Sequence, residues 1–502
     1  MTRSLGALAL VCGLLGACNL NDHGKDPPRD RLFFPADLAI DPTGRFAFVT
    51  NANTDLRYNG GTITTVDLQV ARDRIDLIKQ TGEVPADCHR DVLDPSIVEC
   101  SERGFILADR TIKIGNFAGS IVYQPEKKPK ENGGRLFAVV RGDPSVVWSD
   151  VPVDGEGLLH PDCGTVGFVP CDRRLTRSEL EQEFPPEPFG ASLDPDYGLL
   201  YVAHFGGDGA LSLFDVGGGR TRLPRLVDVA TGFLRRSNDQ APAGFGVAAR
   251  LEPNPTPCQA PFAYVTSRVS NDIAIASVRG AYRCGAAVPA ECKPMGPEAL
   301  HDPCTLDRQS LDLSRVTLAG LNEVESARLD IRDIVFARDG KNAYVVVRQP
   351  SALLVYDTAF LEGDSRPRLF GVRAIEVCAE PSHVSVYERN GQPRALVTCF
   401  SSGQMFVVDP QIGAPVTVFD LGHGPNGVHV AEDTTRGGAG AGGAGAGGAG
   451  AGGDAGEKTA TTKLGVAVSF ADQNLVLVDL QPGSSTEYKV VLRIGLTRPI
   501  SR

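Results

Sequence analysis

Short runs of valine, isoleucine, leucine and aromatic residues alternate with turn-forming polar stretches along this chain, and the same succession returns seven times. One run of the unit reads FVTNA (48–52), FAVVR (137–141), YVAHF (201–205), YVTSR (264–268), YVVVR (344–348), LVTCF (396–400) and VAVSF (466–470). A second run follows it: ITTVDL (63–68), VVWSDV (146–151), LSLFDV (211–216), IAIASV (273–278), LLVYDT (353–358), MFVVDP (405–410) and LVLVDL (475–480). β-Branched and aromatic enrichment over such short spans predicts strands. A shorter apolar run precedes each pair, as in LAI (38–40), IVF (334–336), VSV (384–386) and VHV (428–430). A fourth shows as TIKIG (111–115), VTVFDLG (416–422) and VVLRIG (490–495). Turns such as Arg338-Asp339-Gly340-Lys341 and Arg389-Asn390-Gly391 put glycine where a tight hairpin needs positive φ. Seven four-stranded antiparallel units predict an all-β, seven-bladed β-propeller, with no long helix in its core.

The unit also has a recognisable grammar. A proline, two residues and an apolar residue lead into a D-G-K-like turn, a YV-x-x strand and a V-x-V-x-D strand. Pro35-Ala36-Asp37-Leu38 and Pro425-Asn426-Gly427-Val428 are two openings of this kind. The pattern resembles the YVTN/lactonase-like propeller repeat and runs over residues 32–498. The resemblance implies the fold. Such propellers host binding proteins, hydrolases and redox enzymes, so it leaves the activity open. Three long polar stretches, 69–104, 152–187 and 279–312, follow the third strand of their units and carry most of the cysteines. All three are predicted to leave the ring from one face, the bottom. Residues 437–453, in blade seven, are glycine and alanine only and have no large side chain to bury. Arg31-Leu32-Phe33-Phe34 is the candidate latch that joins the last sheet and closes the ring.

The first residues have a different character. Arg3 precedes the short apolar run LGALALVCGLLGA (5–17), which ends in Leu15-Gly16-Ala17-Cys18. This resembles the lipobox of bacterial lipoproteins. The resemblance implies a signal peptide over 1–17, cleavage before Cys18, and lipid on that cysteine. Residues 18–31, polar with a Pro-Pro pair, are then the lipidated cysteine and its tether, and 32–498 the propeller. Two acyl signals are enough for stable membrane attachment. Asn19 in place of aspartate points, by analogy with enterobacterial sorting, to the outer membrane. No later apolar run approaches the roughly 18 residues that a spanning helix needs.

A net charge of −11 argues against non-specific nucleic-acid binding. Setting aside Cys12 and Cys18 leaves ten cysteines, an even number that suggests disulfides in an exported chain. Proximity and common faces predict Cys88–Cys100, Cys163–Cys171, Cys258–Cys284, Cys292–Cys304 and Cys378–Cys399. There is no CxxC or CxxCH, and no GxSxG, P-loop or HExxH, so no cofactor is called for.

Three sets of residues are candidates for chemistry. The aspartates closing the third strands, Asp67, Asp150, Asp215, Asp357, Asp409 and Asp479, recur too regularly for a site and are expected to hold turns. Asp37, Asp333 and His383 share one slot, just before the apolar residue of the innermost strand, where they face the channel mouth and suit a metal. His204, His423 and His429 also lie near predicted strand ends. The slot after the second strand, on the top face, holds Ala52, Arg141, Phe205, Arg268, Arg348, Phe400 and Phe470. Arg141, Arg268 and Arg348 are the candidate anion-binding rim, with Arg268 and Arg348 on neighbouring blades. The leading expectation is a monomeric, membrane-anchored envelope lipoprotein that binds or scaffolds a protein, glycan or small anion. The alternative is a lactonase-like or quinoprotein-like enzyme working at the channel mouth, and a third class is a purely structural surface protein. Substituting Cys18→Ser is expected to release the protein from membranes or block its processing, as read by detergent-phase partitioning.

Overall fold

The computed structural model describes residues 24–126, 133–178, 181–232, 234, 243–250, 260–279, 284, 304–307, 312–315, 329–361, 367–433 and 463–495. Cys18, Cys258, Cys292 and the run 437–453 lie outside the described residues. The strands form seven sheets, each with a core of four antiparallel strands in chain order; the fourth sheet holds a fifth strand and the seventh two more. The innermost strands are Pro35–Ile40, Ala118–Pro125, Pro188–Asp194, Gly244–Arg250, Ile331–Phe336, Pro381–Arg389 and Pro425–Glu432. Each touches the innermost strands of both neighbours, and the last touches the first, so the sheets close into a ring. The protein is a seven-bladed β-propeller.

The ring has no single centre of packing. Its apolar side chains fall into seven layers, one per contact between blades. Phe48 and Leu136 belong to the layer between blades one and two, Tyr264 and Val345 to that between four and five, and Val49 and Val466 to the closing layer. The second and third strands are almost wholly buried because both their faces meet another blade, which is why they read as continuous apolar runs rather than alternating ones.

The predicted latch packs into the closing layer through Leu32 but adds no strand to the last sheet. Leu32 and Phe33 are buried, and Phe33 N–H donates to Asn51 Oδ1, but residues 31–34 join no sheet. The insertion of blade one supplies strands there instead. Its strand Val98–Cys100 adds parallel to Val490–Ile494, the outer strand of blade seven, and Cys88–Arg90 pairs with it in turn. Arg493 Nη1 lies 2.6 Å from Asp91 and 3.1 Å from Glu99, and Lys79 reaches Asp479 at 3.0 Å. The insertion also holds a helix, Leu68–Thr81, where the sequence reading had only a polar loop. Asp67 caps it by accepting the Gln69 N–H, and Gly82 ends it at a φ of 73°. Leu68, Ala71, Arg72 and Ile75 form its buried stripe.

The third-strand aspartates are structural. Asp67, Asp215, Asp357, Asp409 and Asp479 each accept the backbone N–H two residues on. Asp150 is held by Arg135 and Arg173. Ahead of the first strand, Asp26 bonds Lys113 at 2.8 Å and the Arg29 carbonyl accepts from Thr111, so this segment lies against blade one.

Disulfides join Cys88 to Cys100, Cys163 to Cys171, Cys378 to Cys399, and Cys284 to Cys304. The last replaces the expected bonds Cys258–Cys284 and Cys292–Cys304. Thr305–Leu306 returns to pair with Val278–Arg279, so the excursion ends beside its start and brings the two Cα atoms to 5.5 Å. The Cys88–Cys100 bond closes a short loop on the ring-closing strand. Replacing both cysteines by serine is expected to lower stability by about 3 kcal/mol, the size typical of such loops, in denaturant melts.

Candidate functional site

All seven innermost strands carry a register irregularity within their first residues. A bulge re-aims the side chains around it. We call the end at which these strands begin the top. There, the slot before the first apolar residue reads Asp37, Ser120, Gly190, Gly246, Asp333, His383 and Gly427 in blade order. Blades five, six, seven and one are consecutive around the ring, so Asp333, His383, the gap at Gly427, and Asp37 form one arc.

The arc is ordered by hydrogen bonds between blades. Asp333 Oδ2 accepts the Val384 N–H of blade six at 2.9 Å, and Asp37 Oδ2 accepts the Ile121 N–H of blade two at 3.2 Å. His383 Nδ1 lies 2.8 Å from Asp333 Oδ2. His429, two residues beyond Gly427 and therefore on the same face, places Nε2 3.7 Å from Asp37 Oδ1. The His383 and His429 rings sit 5.7 Å apart. A Cβ on Gly427 would stand 2.3 Å from Asp37 Oδ1, so glycine is what admits the carboxylate. Burial alone would lower the His383 pKa, but the Asp333 charge and hydrogen bond outweigh it and raise it to about 9. Burial would raise Asp37, yet His429 and His383 hold it below the ordinary carboxylate value.

The three candidate residues Asp37, Asp333 and His383 thus share one site, and His429 joins them. The period-two spacing from Gly427 was the signal for His429. The other two histidines lie elsewhere. His204 ends the second strand of blade three, not an innermost strand, and is buried beneath Phe184 with Nε2 2.9 Å from Ser212 Oγ. His423 is exposed and pairs with Asp472.

The arginine rim is built by a second repeated device. The residue before the innermost strand has positive φ in six blades: Phe34, Phe117, Glu187, Asp330, Glu380 and Gly424. Its carbonyl, or that of Ala243 in blade four, accepts the N–H of the residue in the slot after the second strand of its own blade. Four slot side chains then lean toward the next blade's entry residue. Phe470 packs on Phe34, Arg141 pairs with Glu187, Arg268 with Asp330, and Arg348 with Glu380. Arg141 is therefore closed off as an anion ligand, with both Nε and Nη2 on one carboxylate. Arg268 and Arg348 converge with a residue that the sequence reading passed over, Arg332. Arg332 bonds Asp330 at 2.7 Å, and it and Arg268 lie over the Phe245 ring. Burial, then the charges of Arg348 and Arg268, lower the Arg332 pKa to about 10. Phe189 packs tilted against Phe245 at 4.2 Å and Arg141 lies over the Phe189 ring, so aromatic rings run between the arginines.

No family model matches the chain, and no curated protein does. Solved structures do resemble it. A periplasmic gluconolactonase of Pseudomonas aeruginosa is 15% identical, with 78% of this chain and 86% of that chain covered at a TM-score of 0.45. Hydrazine synthase of Kuenenia stuttgartiensis is 11% identical, with coverages of 91% and 97% and a TM-score of 0.47. The β-propeller domain of Cps50 (Swd1) from Myceliophteria thermophila is 10% identical, with 79% and 90% covered and a TM-score of 0.44. At these values the likeness is one of fold alone.

Burial lowers the His204 pKa from the ordinary histidine value of 6.5 to about 4. The folded state therefore binds fewer protons than the unfolded one between those values. Its contribution, on the order of 3 kcal/mol, is complete above pH 6.5 and lost as pH falls through 6.5 toward 4. Denaturant midpoints are expected to drop over that window in the parent protein, and His204→Gln is expected to flatten the fall.

Proposed function

We propose that this chain is an exported envelope lipoprotein, anchored through Cys18, whose propeller binds a small anionic ligand at the top mouth of the channel. The observation that carries the binding site is the excess of guanidinium there. Arg268 and Arg332 share Asp330, Arg348 lies 3.8 Å from Glu380 and donates from Nε to the Pro381 carbonyl at 3.4 Å, and Arg332 is held below its ordinary pKa by burial and by its two arginine neighbours. In a chain of net charge −11 this is a local concentration of positive charge. An incoming carboxylate or phosphate relieves that repulsion and gains charge-assisted bonds. The Phe205 and Phe245 rings underlie the same arginines and help to hold them in place.

Anchoring through Cys18 would set the orientation. Residues from Gly24 onward are tied to blade one through Asn59 and Lys113. The six Cα steps from Cys18 to Gly24 span at most about 22 Å, which would keep the edge of blade one near the bilayer.

A second reading is hydrolysis of a cyclic ester at the same mouth. It is favoured by His383, held charged by Asp333 beside the Asp37 carboxylate, which sets a proton donor and an acceptor side by side.

Calorimetric titration of the purified chain with citrate, gluconate and inorganic phosphate is expected to reveal a binder. Its affinity should fall at least about tenfold in Arg268→Ala with Arg348→Ala, since each charge-assisted bond contributes about 1.5–3 kcal/mol. No binding of any of the three, or equal affinity in the double variant, overturns the anion site. Turnover of glucono-δ-lactone that His383→Ala abolishes is the outcome that supports the second reading.

A further inference from the structure

We propose that Asp37, His383 and His429 form a binding site for one divalent transition-metal ion, of which Zn²⁺ is the type, with Asp333 orienting His383. The inference goes beyond anion binding and stands on other residues, in blades six, seven and one.

Three independent features of the geometry converge. One ligand atom from each of the three residues lies within 4.8 Å of the others. The His429 Nε2 to Asp37 Oδ1 distance, 3.7 Å, is too long for a hydrogen bond. It is close to the roughly 3.4 Å that separates two ligand atoms of a tetrahedral zinc ion bonded at about 2.0–2.1 Å. The pair is spaced for an ion between them rather than a proton.

The Asp37 carboxylate is divided in the way a metal ligand requires. Oδ2 is fixed by the Ile121 N–H. Oδ1 is buried and has no hydrogen-bond partner. A buried carboxylate oxygen without a partner is costly, and an ion removes that cost. The missing side chain at Gly427 leaves the space this oxygen uses.

His383 is arranged as a ligand. Its Nδ1 is taken by Asp333 at 2.8 Å, which turns Nε2 away from the carboxylate. Asp333 is itself fixed by two backbone N–H groups, those of Ile334 and Val384. Carboxylate–histidine pairs of this form are the usual outer support of a metal-bound imidazole. All four residues sit on innermost strands, whose register holds them more firmly than loops would.

Two imidazoles and one carboxylate favour zinc, iron, cobalt or nickel over calcium and magnesium, which prefer all-oxygen shells. Three protein ligands also leave one position open. The His383 and His429 side chains keep 25% and 38% of their exposure, so that position is reached from the channel. The type is that of catalytic rather than structural zinc sites.

The test uses the untagged chain, stripped with EDTA. Titration with Zn²⁺ by calorimetry and with Co²⁺ by visible absorption is expected to show one tight equivalent and the d–d bands of a nitrogen- and oxygen-ligated ion. His429→Gln and His383→Gln are expected to lose at least tenfold in affinity, and Asp333→Asn about 10–100-fold through the outer shell. Asp37→Asn keeps an oxygen for the Ile121 N–H, so its fold is checked by thermal melts while its metal affinity falls. No stoichiometric binding to the parent chain overturns the proposal, and so does unchanged affinity in both histidine variants once they melt like the parent. Anion binding lost in the arginine variants but kept in the histidine variants separates the fate of this site from that of the rim.

Discussion

Every blade of this ring must fit two neighbours at once, and that is the constraint on which the rest of the structure depends. A sheet buried on both faces cannot alternate polar and apolar residues, so the middle strands are apolar throughout and the core is seven layers rather than one. The last layer must also be shut against opening of the ring. It is shut by chain borrowed from blade one, whose strand Val98–Cys100 covers the outer edge of blade seven. That strand hides a sheet edge, spans the two ends of the ring in sequence, and is pinned by its own disulfide to Cys88.

The same requirement shapes the top face. A left-handed residue before the innermost strand turns the chain into the channel, and its carbonyl receives the N–H from the end of the second strand. For non-glycine residues this conformation costs on the order of 1–2 kcal/mol each. Its recurrence at one position in six blades shows that ring geometry over-determines it. The side chains at these positions are then free to vary between blades. Phenylalanines meet at the closing blades and arginine–carboxylate pairs in the middle ones. A common backbone device has thus been given different chemistry on different sides of one mouth.

Two kinds of polar group consequently adjoin around the channel, meeting at blade five. One arc gathers guanidinium on blades four and five, and the other gathers imidazole and carboxylate on blades five, six, seven and one. Arg332 and Asp333 are adjacent in the chain but belong to different arcs, because the bulge between Ile331 and Asp333 sends successive side chains to different neighbours.

Sequence by itself determined the blade count, the strand order and the structural role of the third-strand aspartates. It did so because strand periodicity and turn chemistry are local, and because seven copies average out the noise of any one. It also placed Asp37, Asp333 and His383 in equivalent slots, since a repeat converts sequence position into angular position. Tertiary structure alone decided what those slots meet. Whether Arg141 is available depends on Glu187, forty-six residues away, and whether His383 and His429 converge depends on the width of the ring at Gly427. The latch, the Leu68–Thr81 helix and the Cys284–Cys304 bond sit in insertions that break the repeat, where no averaging is available. The helix stripe at Leu68, Ala71 and Ile75 was visible in principle, but its partners Leu492 and Ile494 come from the far end of the chain. Local pattern states which residues must be buried, and only closure of the ring states against what.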